Sequence, residues 1–290
     1  MIATPITEIT LNRRRFYVKR DDLIDPFLAG NKYRKLYPLL KTPSENLNKI
    51  ISYGGTQSNA MLAIASMCKL KGWEFIYYSK PISKVQKELD YGNYYQAIKL
   101  GMCHKEIENE LYRDFISSLN FNLDDKTFLI DQGGAVVEAI IGLKVLADEI
   151  RGETGYPKSL ATPSGTGTTA LYLAINLPEY KIYTTPMIGD VEYLKKQMSA
   201  LAEIPKNLII LEPSKKYHFA KPYKEYFEIY QKLLKSGIEF DLLYGCGMWK
   251  TLLEQTSEEI LYIHSGGVSG NKSMLKRYEQ KGIKTVTSNL

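Results

Sequence analysis

Short apolar runs alternate with helical patterns along almost the whole chain, and this alternation limits the fold more than any other feature. "RFYVKR" from Arg15, "NKIISYG" from Asn48, "EFIYYS" and "TFLID" read as strands. "KSLAT", "YKIYTTP", "NLIIL" and "EILYIHS" extend the series. Between them lie "SNAMLAIASMCKLKG", "ELDYGNYYQAIKLG", "VVEAIIGLKVLADEI" and "TTALYLAIN", all with helical spacing. A further helix carries Val191, Leu194, Met198 and Leu201, and helices are expected after the last two strands. Strand and helix in turn predict an α/β protein with parallel sheets covered on both faces. The chain has 290 residues, enough for one large domain or two lobes. No repeat of fixed period and no low-complexity segment interrupts the pattern.

Several function classes are disfavoured by composition. No apolar run approaches the roughly 18 residues of a membrane span. The opening "MIATPITEIT" lacks the basic and apolar regions of a secretion signal. Cys68, Cys103 and Cys246 lie far apart, form no metal-type pair and suit a reducing, cytoplasmic compartment. The net charge of +6 is scattered and interleaved with acids, so it reads as surface charge that draws in an anionic ligand rather than nucleic acid.

Glycine-bearing turns follow four of the expected strands: "YGGTQSN" at Tyr53, "DQGGA" at Asp131, "TPSGTGTT" at Thr162 and "HSGGVSGN" at His264. In open parallel sheets ligands bind beyond the carboxyl ends of the strands, where such turns lie. "PSGTGTT" carries the most information. Gly165 and Gly167 let backbone approach a ligand, Thr166, Thr168 and Thr169 add hydroxyls, and a helix N-terminus follows, which together make a phosphate cradle. A tight turn with threonine caps is the plain alternative. "GGTQSNA" sets Ser58 and Asn59 at another helix start, suited to a carboxylate or equally to an N-cap at Gln57 or Ser58.

"GNKYRKLYPLL" from Gly30 places Tyr33, Leu36, Tyr37 and Leu40 on one helical face, with Lys32, Arg34 and Lys35 in the same run. By itself this reads as a solvated basic face, and Pro38 is expected to kink the helix or close a turn early. Tyr244 in "FDLLYGCGMW" precedes what reads as a glycine turn, and among 22 tyrosines a single one is usually packing. His264 reads as a satisfied buried histidine.

Taken in order, "KRDDL", "GNKYRKL", "GGTQSNA", "DQGGA", "SGTGTT", the tyrosine of "FDLLYG" and "HSGGVSGN" resemble one family. It is the pyridoxal-phosphate enzymes that include 1-aminocyclopropane-1-carboxylate (ACC) deaminase and D-cysteine desulfhydrase. The resemblance spans nearly the whole chain. It implies the tryptophan-synthase-β-like fold (fold type II), with two lobes each built on a mainly parallel sheet flanked by helices. Residues 1–43 and 130–290 would form the larger lobe and 44–129 the smaller, with pyridoxal 5'-phosphate between them.

By the same resemblance, Lys32 carries the cofactor covalently, and Lys35 and Arg34 supply a field that lowers its pKa. Lys35 pairs with the phosphate beside the cradle of Gly165, Thr166, Gly167, Thr168 and Thr169. Asn59 holds the ring hydroxyl. Ser58 binds the substrate carboxylate, with Asn59 beside it, and is a candidate for proton transfer. Tyr244 lies against the ring and takes part in proton transfer. A homodimer and a small amino-acid substrate are what the family implies, and with the composition above no metal, membrane or nucleic-acid partner is expected.

Two positions depart from the family pattern. Ala60 stands where relatives have glutamine or histidine, and Gly245 stands where deaminases have glutamate and desulfhydrases often threonine. Cys246, the next residue, is a weak donor. These departures favour β-elimination from D-cysteine over ring opening of ACC. Readings of another class are a protein that retains the cofactor without turnover and a phosphate-ligand module without pyridoxal.

Overall fold

The computed structural model describes residues 3–28, 30–134 and 137–283. Ala135 and Val136, where "DQGGA" ends and the expected helix "VVEAIIGLKVLADEI" begins, lie outside the described residues, as do the first two and last seven positions assigned to the larger lobe.

The chain opens with a strand that its sequence pattern did not announce. β1 (Ile6–Leu11) pairs antiparallel with β2 (Arg14–Lys19). Asn12 and Arg13 join them with φ of 51° and 62°, the left-handed pair whose twist suits a two-residue hairpin. α1 (Gly30–Lys41) follows and crosses to the second sheet. It runs on past Pro38 to Lys41, so the proline does not end the helix. Leu36 and Leu39 hold its last turns in a core with Met61, Leu62 and Ala65.

The second sheet comes from one continuous stretch: β3 (Lys49–Tyr53), α2 (Asn59–Lys71), β4 (Glu74–Ser79), α3 (Lys84–Glu88), α4 (Gly92–Lys99), β5 (Met102–Glu106), α5 (Tyr112–Ser118) and β6 (Thr127–Ile130). Its order is β5-β4-β3-β6, parallel throughout. The single helix expected across "ELDYGNYYQAIKLG" is instead α4 alone, preceded by the short α3. Leu89 and Tyr91 are extended and Gly92 takes a φ of +87° where the second helix begins. β5 escaped notice because "MCHKE" is an edge strand with one fully buried side chain.

The remainder completes the first sheet: α6 (Ala139–Gly152), β7 (Ser159–Ala161), α7 (Thr168–Asn176), β8 (Lys181–Thr184), α8 (Val191–Ser199), β9 (Leu208–Ile210), α9 (Lys224–Lys235), α10 (Gly245–Gln255), β10 (Leu261–Ile263) and α11 (Asn271–Gln280). Strand order is β1-β2-β10-β7-β8-β9, parallel apart from the hairpin. β10 lies inside the sheet and buries all three residues, as expected for a strand covered on both faces. One large core lies around Trp249, whose ring stacks on Tyr262 at 4.4 Å with Phe16 and Phe240 edge-on. A second joins α6, α7 and α8, with α7 buried nearly all round. Among the described residues no helix is long and apolar enough to cross a membrane, and no cluster of His, Cys, Asp and Glu is arranged to hold a metal.

Candidate active site

The four glycine turns converge. The turns after β3, β6, β7 and β10 line one cleft between the two sheets, together with α1, Ile188, Phe219, Asp241 and Tyr244. Ten of the residues singled out in the sequence reach it: Lys32, Lys35, Ser58, Asn59, Gly165, Thr166, Gly167, Thr168, Thr169 and Tyr244.

α1 divides its cations by face. Lys32 and Lys35 are three residues apart and share the face toward the cleft. Arg34 points the other way. It is fully buried in a bidentate pair with Asp21, at 2.9 and 2.7 Å, and reaches Glu149 at 2.9 Å. Lys19, also fully buried, binds Glu149 at 2.6 Å. Arg34 therefore anchors α1 against the turn that follows β2 and against α6, and the expectation that it supplies a field to Lys32 is overturned. Gly30 starts the helix with a φ of +55°. A side chain there would strike the Ser265 carbonyl, so only glycine brings the first turn of α1 this near the turn after β10.

Lys32 Nζ donates to Asn31 Oδ1 at 3.0 Å. Burial pushes its pKa down to about 8, against the pull of the Asp241 charge. Lys35 is lowered well below the usual lysine range, first by burial and then by the charge of Lys32. Its Nζ donates to the Gly133 carbonyl at 3.2 Å, and no carboxylate pairs with it among the described residues. Two lysine amines side by side, Lys35 buried and Lys32 partly so, call for an anion.

The loop after β7 answers that need. Gly167 caps α7, whose first residues Thr168 and Thr169 line the cleft, and the Thr166 and Thr168 hydroxyls lie 3.0 Å apart. Asn31 Nδ2 donates to Thr169 Oγ1 at 3.1 Å, tying the lysine helix to this loop. A cradle of helix N-terminus, hydroxyls and two cations fits a phosphate dianion. Gly167 itself takes a φ of +79°, and its missing side chain would lie 2.5 Å from Met198 and 3.0 Å from Leu194. Packing of α8 demands that glycine, whereas the sequence had suggested approach of the anion.

Across the cleft Ser58 caps α2, its Oγ accepting from the N–H groups of Ala60 and Met61 at 3.2 Å each. The cap and the cleft-lining role are thus carried by one residue. Asn59 Oδ1 accepts from Asn93 Nδ2 at 2.7 Å, which fixes the amide. His264 is satisfied: Gly266 N–H donates to Nδ1 at 3.1 Å and Nε2 faces the Glu239 carbonyl at 2.8 Å.

Tyr244 precedes a helix, α10, where a glycine turn was expected. Its ring lies 3.3 Å from where a Gly165 side chain would begin, and burial followed by the Asp241 charge raises its pKa, so the phenol keeps its proton. Asp241 is the residue sequence reasoning missed. It is 2% exposed, lines the cleft, and accepts N–H groups from Leu243, Tyr244 and Gly245 at 3.2, 2.6 and 3.0 Å. Burial raises its pKa against these bonds and the nearby His264. A side chain at Gly245 would begin 3.0 Å from Asp241 Oδ2, so the carboxylate occupies that space. An aspartate three residues before a tyrosine, ahead of an apolar run, is a capping signal that the paired glycines of "YGCGMW" obscured.

No protein-family model matches the chain. A putative 1-aminocyclopropane-1-carboxylate deaminase of Thermotoga maritima is 26% identical over 287 residues, covering 88% of this chain and 89% of the relative. A putative mitochondrial D-cysteine desulfhydrase 2 of Oryza sativa subsp. japonica is 24% identical, covering 92% and 80%. Among solved structures, an ACC deaminase homologue superposes with a TM-score of 0.72 at 22% identity, over 96% of this chain and 94% of that one. A threonine deaminase from T.th. superposes with a TM-score of 0.67 at 13% identity, over 92% of each. The fold is tryptophan-synthase-β-like, type II. The relatives are those of the family that the sequence motifs resemble.

Proposed function

We propose that this relative of the ACC deaminases and D-cysteine desulfhydrases is a pyridoxal-phosphate-dependent lyase, and that it eliminates the β-substituent of a small amino acid, D-cysteine ahead of ACC. The observation that carries the reading is Lys32. Its amine lies in the cleft beside the buried Lys35, within reach of a loop and helix N-terminus suited to a phosphate. Lys35 and residues Gly165 to Thr169 would hold the cofactor phosphate, Asn59 its ring hydroxyl, and Tyr244 would lie along the ring. When bound, pyridoxal phosphate supplies an electron sink that stabilises negative charge at the α-carbon of an amino acid.

The residues of the chain supply the rest. Lys32 has a pKa near 8, so a usable fraction of its amine is neutral at physiological pH and takes the α-proton. The N-terminus of α2, with Ser58 and Asn59, orients the substrate carboxylate. Tyr244, holding its proton, donates to the departing sulfur. The balance is cysteine plus water to pyruvate, ammonia and hydrogen sulfide. Opening a cyclopropane to give 2-oxobutanoate and ammonia breaks a carbon–carbon bond and asks more of the site. Gly245 has no side chain to help, and Asp241 beside it is committed to three backbone N–H groups. The names of the deaminase relatives favour ACC as the second reading.

Borohydride reduction of the protein as purified, followed by peptide mass analysis, should place the cofactor mass on Lys32. A label elsewhere, or no cofactor after incubation with pyridoxal phosphate, refutes the site. Sulfide and pyruvate from D-cysteine should form faster than 2-oxobutanoate from ACC on one preparation, and the reverse order overturns the ranking.

A further inference from the structure

The loop between β9 and α9 carries Phe219, an aromatic residue that is 42% exposed and yet lines the cleft. An isolated exposed phenylalanine is ordinary, but this one is held in place from several sides. Its ring packs against Tyr244 with centroids 5.2 Å apart. The next residue, Ala220, has a φ of +59°, a left-handed conformation that a residue with a Cβ adopts at a cost. Surrounding bonds enforce it. The Ala220 carbonyl accepts from Arg277 at 3.0 Å, the His218 N–H donates to the Tyr223 hydroxyl at 2.9 Å, and Tyr217 stacks on Tyr226 at 4.6 Å. Lys281 binds the Pro222 carbonyl at 3.2 Å. α9 and α11 thus hold a strained loop whose effect is to keep a phenyl ring at the cleft mouth.

Ile188 lies on the same side, its Cδ1 3.6 Å from where a Gly165 side chain would begin, as the Tyr244 ring is at 3.3 Å. On the α2 side the cleft is lined by Gln57, Ser58, Asn59 and Ala60, and of these only Ala60 is apolar. The cleft therefore has a polar end, with its cations and helix N-termini, and an apolar wall with room before it.

We propose that Phe219, with Ile188, is a specificity-determining wall that selects amino acids whose side chain ends in an apolar group, such as S-alkyl cysteines, over those with a bare thiol or hydroxyl. The proposal rests on the lyase reading above, keeps D-cysteine ahead of ACC, and sets S-alkyl cysteines ahead of both. A methylene laid against the wall loses water without losing a hydrogen bond, which at partial burial tightens binding about threefold.

The test is a homologous series without a leaving group: alanine, 2-aminobutanoate and norvaline, in both enantiomers, titrated calorimetrically into the cofactor-loaded protein. Affinity should rise about threefold per added methylene for the enantiomer that binds. Phe219→Ser should flatten the series, and Phe219→Leu should restore most of the slope. A purely structural ring would shift all three affinities together and leave the slope intact, which overturns the proposal, as does a flat series in the parent. Turnover of S-ethylcysteine against cysteine is read in parallel. Sloped binding without elimination from either compound refutes the lyase reading while supporting the wall.

Discussion

Replacing Arg34 by leucine separates two roles that the sequence alone left merged. In the structure its guanidinium forms a bidentate pair with Asp21, neither side chain exposed at all, and a third contact to Glu149. Among the described residues Asp21 would keep only the Thr4 hydroxyl at 2.7 Å, leaving a buried carboxylate without a countercharge. Breaking such a pair from one side costs about 3–5 kcal/mol. A chain of 290 residues unfolds with an entropy of about 0.6 kcal/mol per kelvin, so the melting temperature should fall by about 5–8 °C. Adding Asp21→Asn should recover part of the loss, and the double-mutant cycle should give a coupling of more than about 1 kcal/mol. The pH at which Lys32 titrates, read from the rate of cofactor uptake by the apo-protein, should stay where it is, because Arg34 does not line the cleft. A drop under about 1 kcal/mol, strict additivity, or a titration that moves upward once Arg34 is gone would refute the assignment of this arginine as an anchor.

Cofactor uptake by the apo-protein should rise with pH and level off above about 8, as the Lys32 amine loses its proton. Asp241→Asn keeps a capping oxygen but removes the charge that holds the Lys32 pKa up, so the midpoint should move to lower pH; an unchanged or higher midpoint counts against the pairing. Glu149 is shifted down because bonds from Lys19, Thr4 and Arg34 outweigh its burial. Its folded pKa lies below its unfolded one, so its stabilising effect is present above the unfolded value and fades as pH falls through the folded value. Acid titration of Glu149→Gln should show a shallower loss of stability than the parent over that range. Gly167→Val should cost about 1–3 kcal/mol from overpacking against Met198 and Leu194, and a melting temperature equal to that of the parent would contradict the geometry.

Much of the chain was legible because each level pointed the same way. Strands such as Lys49–Tyr53 and Leu261–Ile263 are runs of branched and aromatic residues ended by glycine turns, and the turns mark the cleft. What stayed hidden had mixed local signals. α10 opens on Gly245 and Gly247, which read as a turn, and its burial is supplied by Trp249 and Leu252 from a distant core. β1 carries Thr7, Glu8 and Thr10 among its six residues and owes its place to pairing with β2. Arg34 was misread because spacing in a helix does not say which face is the interior one: Tyr33 and Tyr37 are only partly buried while the arginine is fully so. Phe219 was invisible because a loop residue has no period.

The neighbours of β2 carry a consequence for synthesis. One is β1, already beside it, and the other is β10, which begins at Leu261. Translation proceeds at about 5–20 residues per second, so the inner edge of β2 waits on the order of 10–50 s for its partner to emerge from the ribosome. The four-stranded sheet, drawn from Lys49 to Ile130, has no such delay and can assemble while the rest is being made. Lys32 stands on α1, which packs on that smaller sheet, but Asp241 and Tyr244 are not yet translated when the sheet is complete. The cleft therefore cannot form on a partial chain, and a nascent protein stalled before Leu261 would expose an unpaired strand edge for a chaperone to cover.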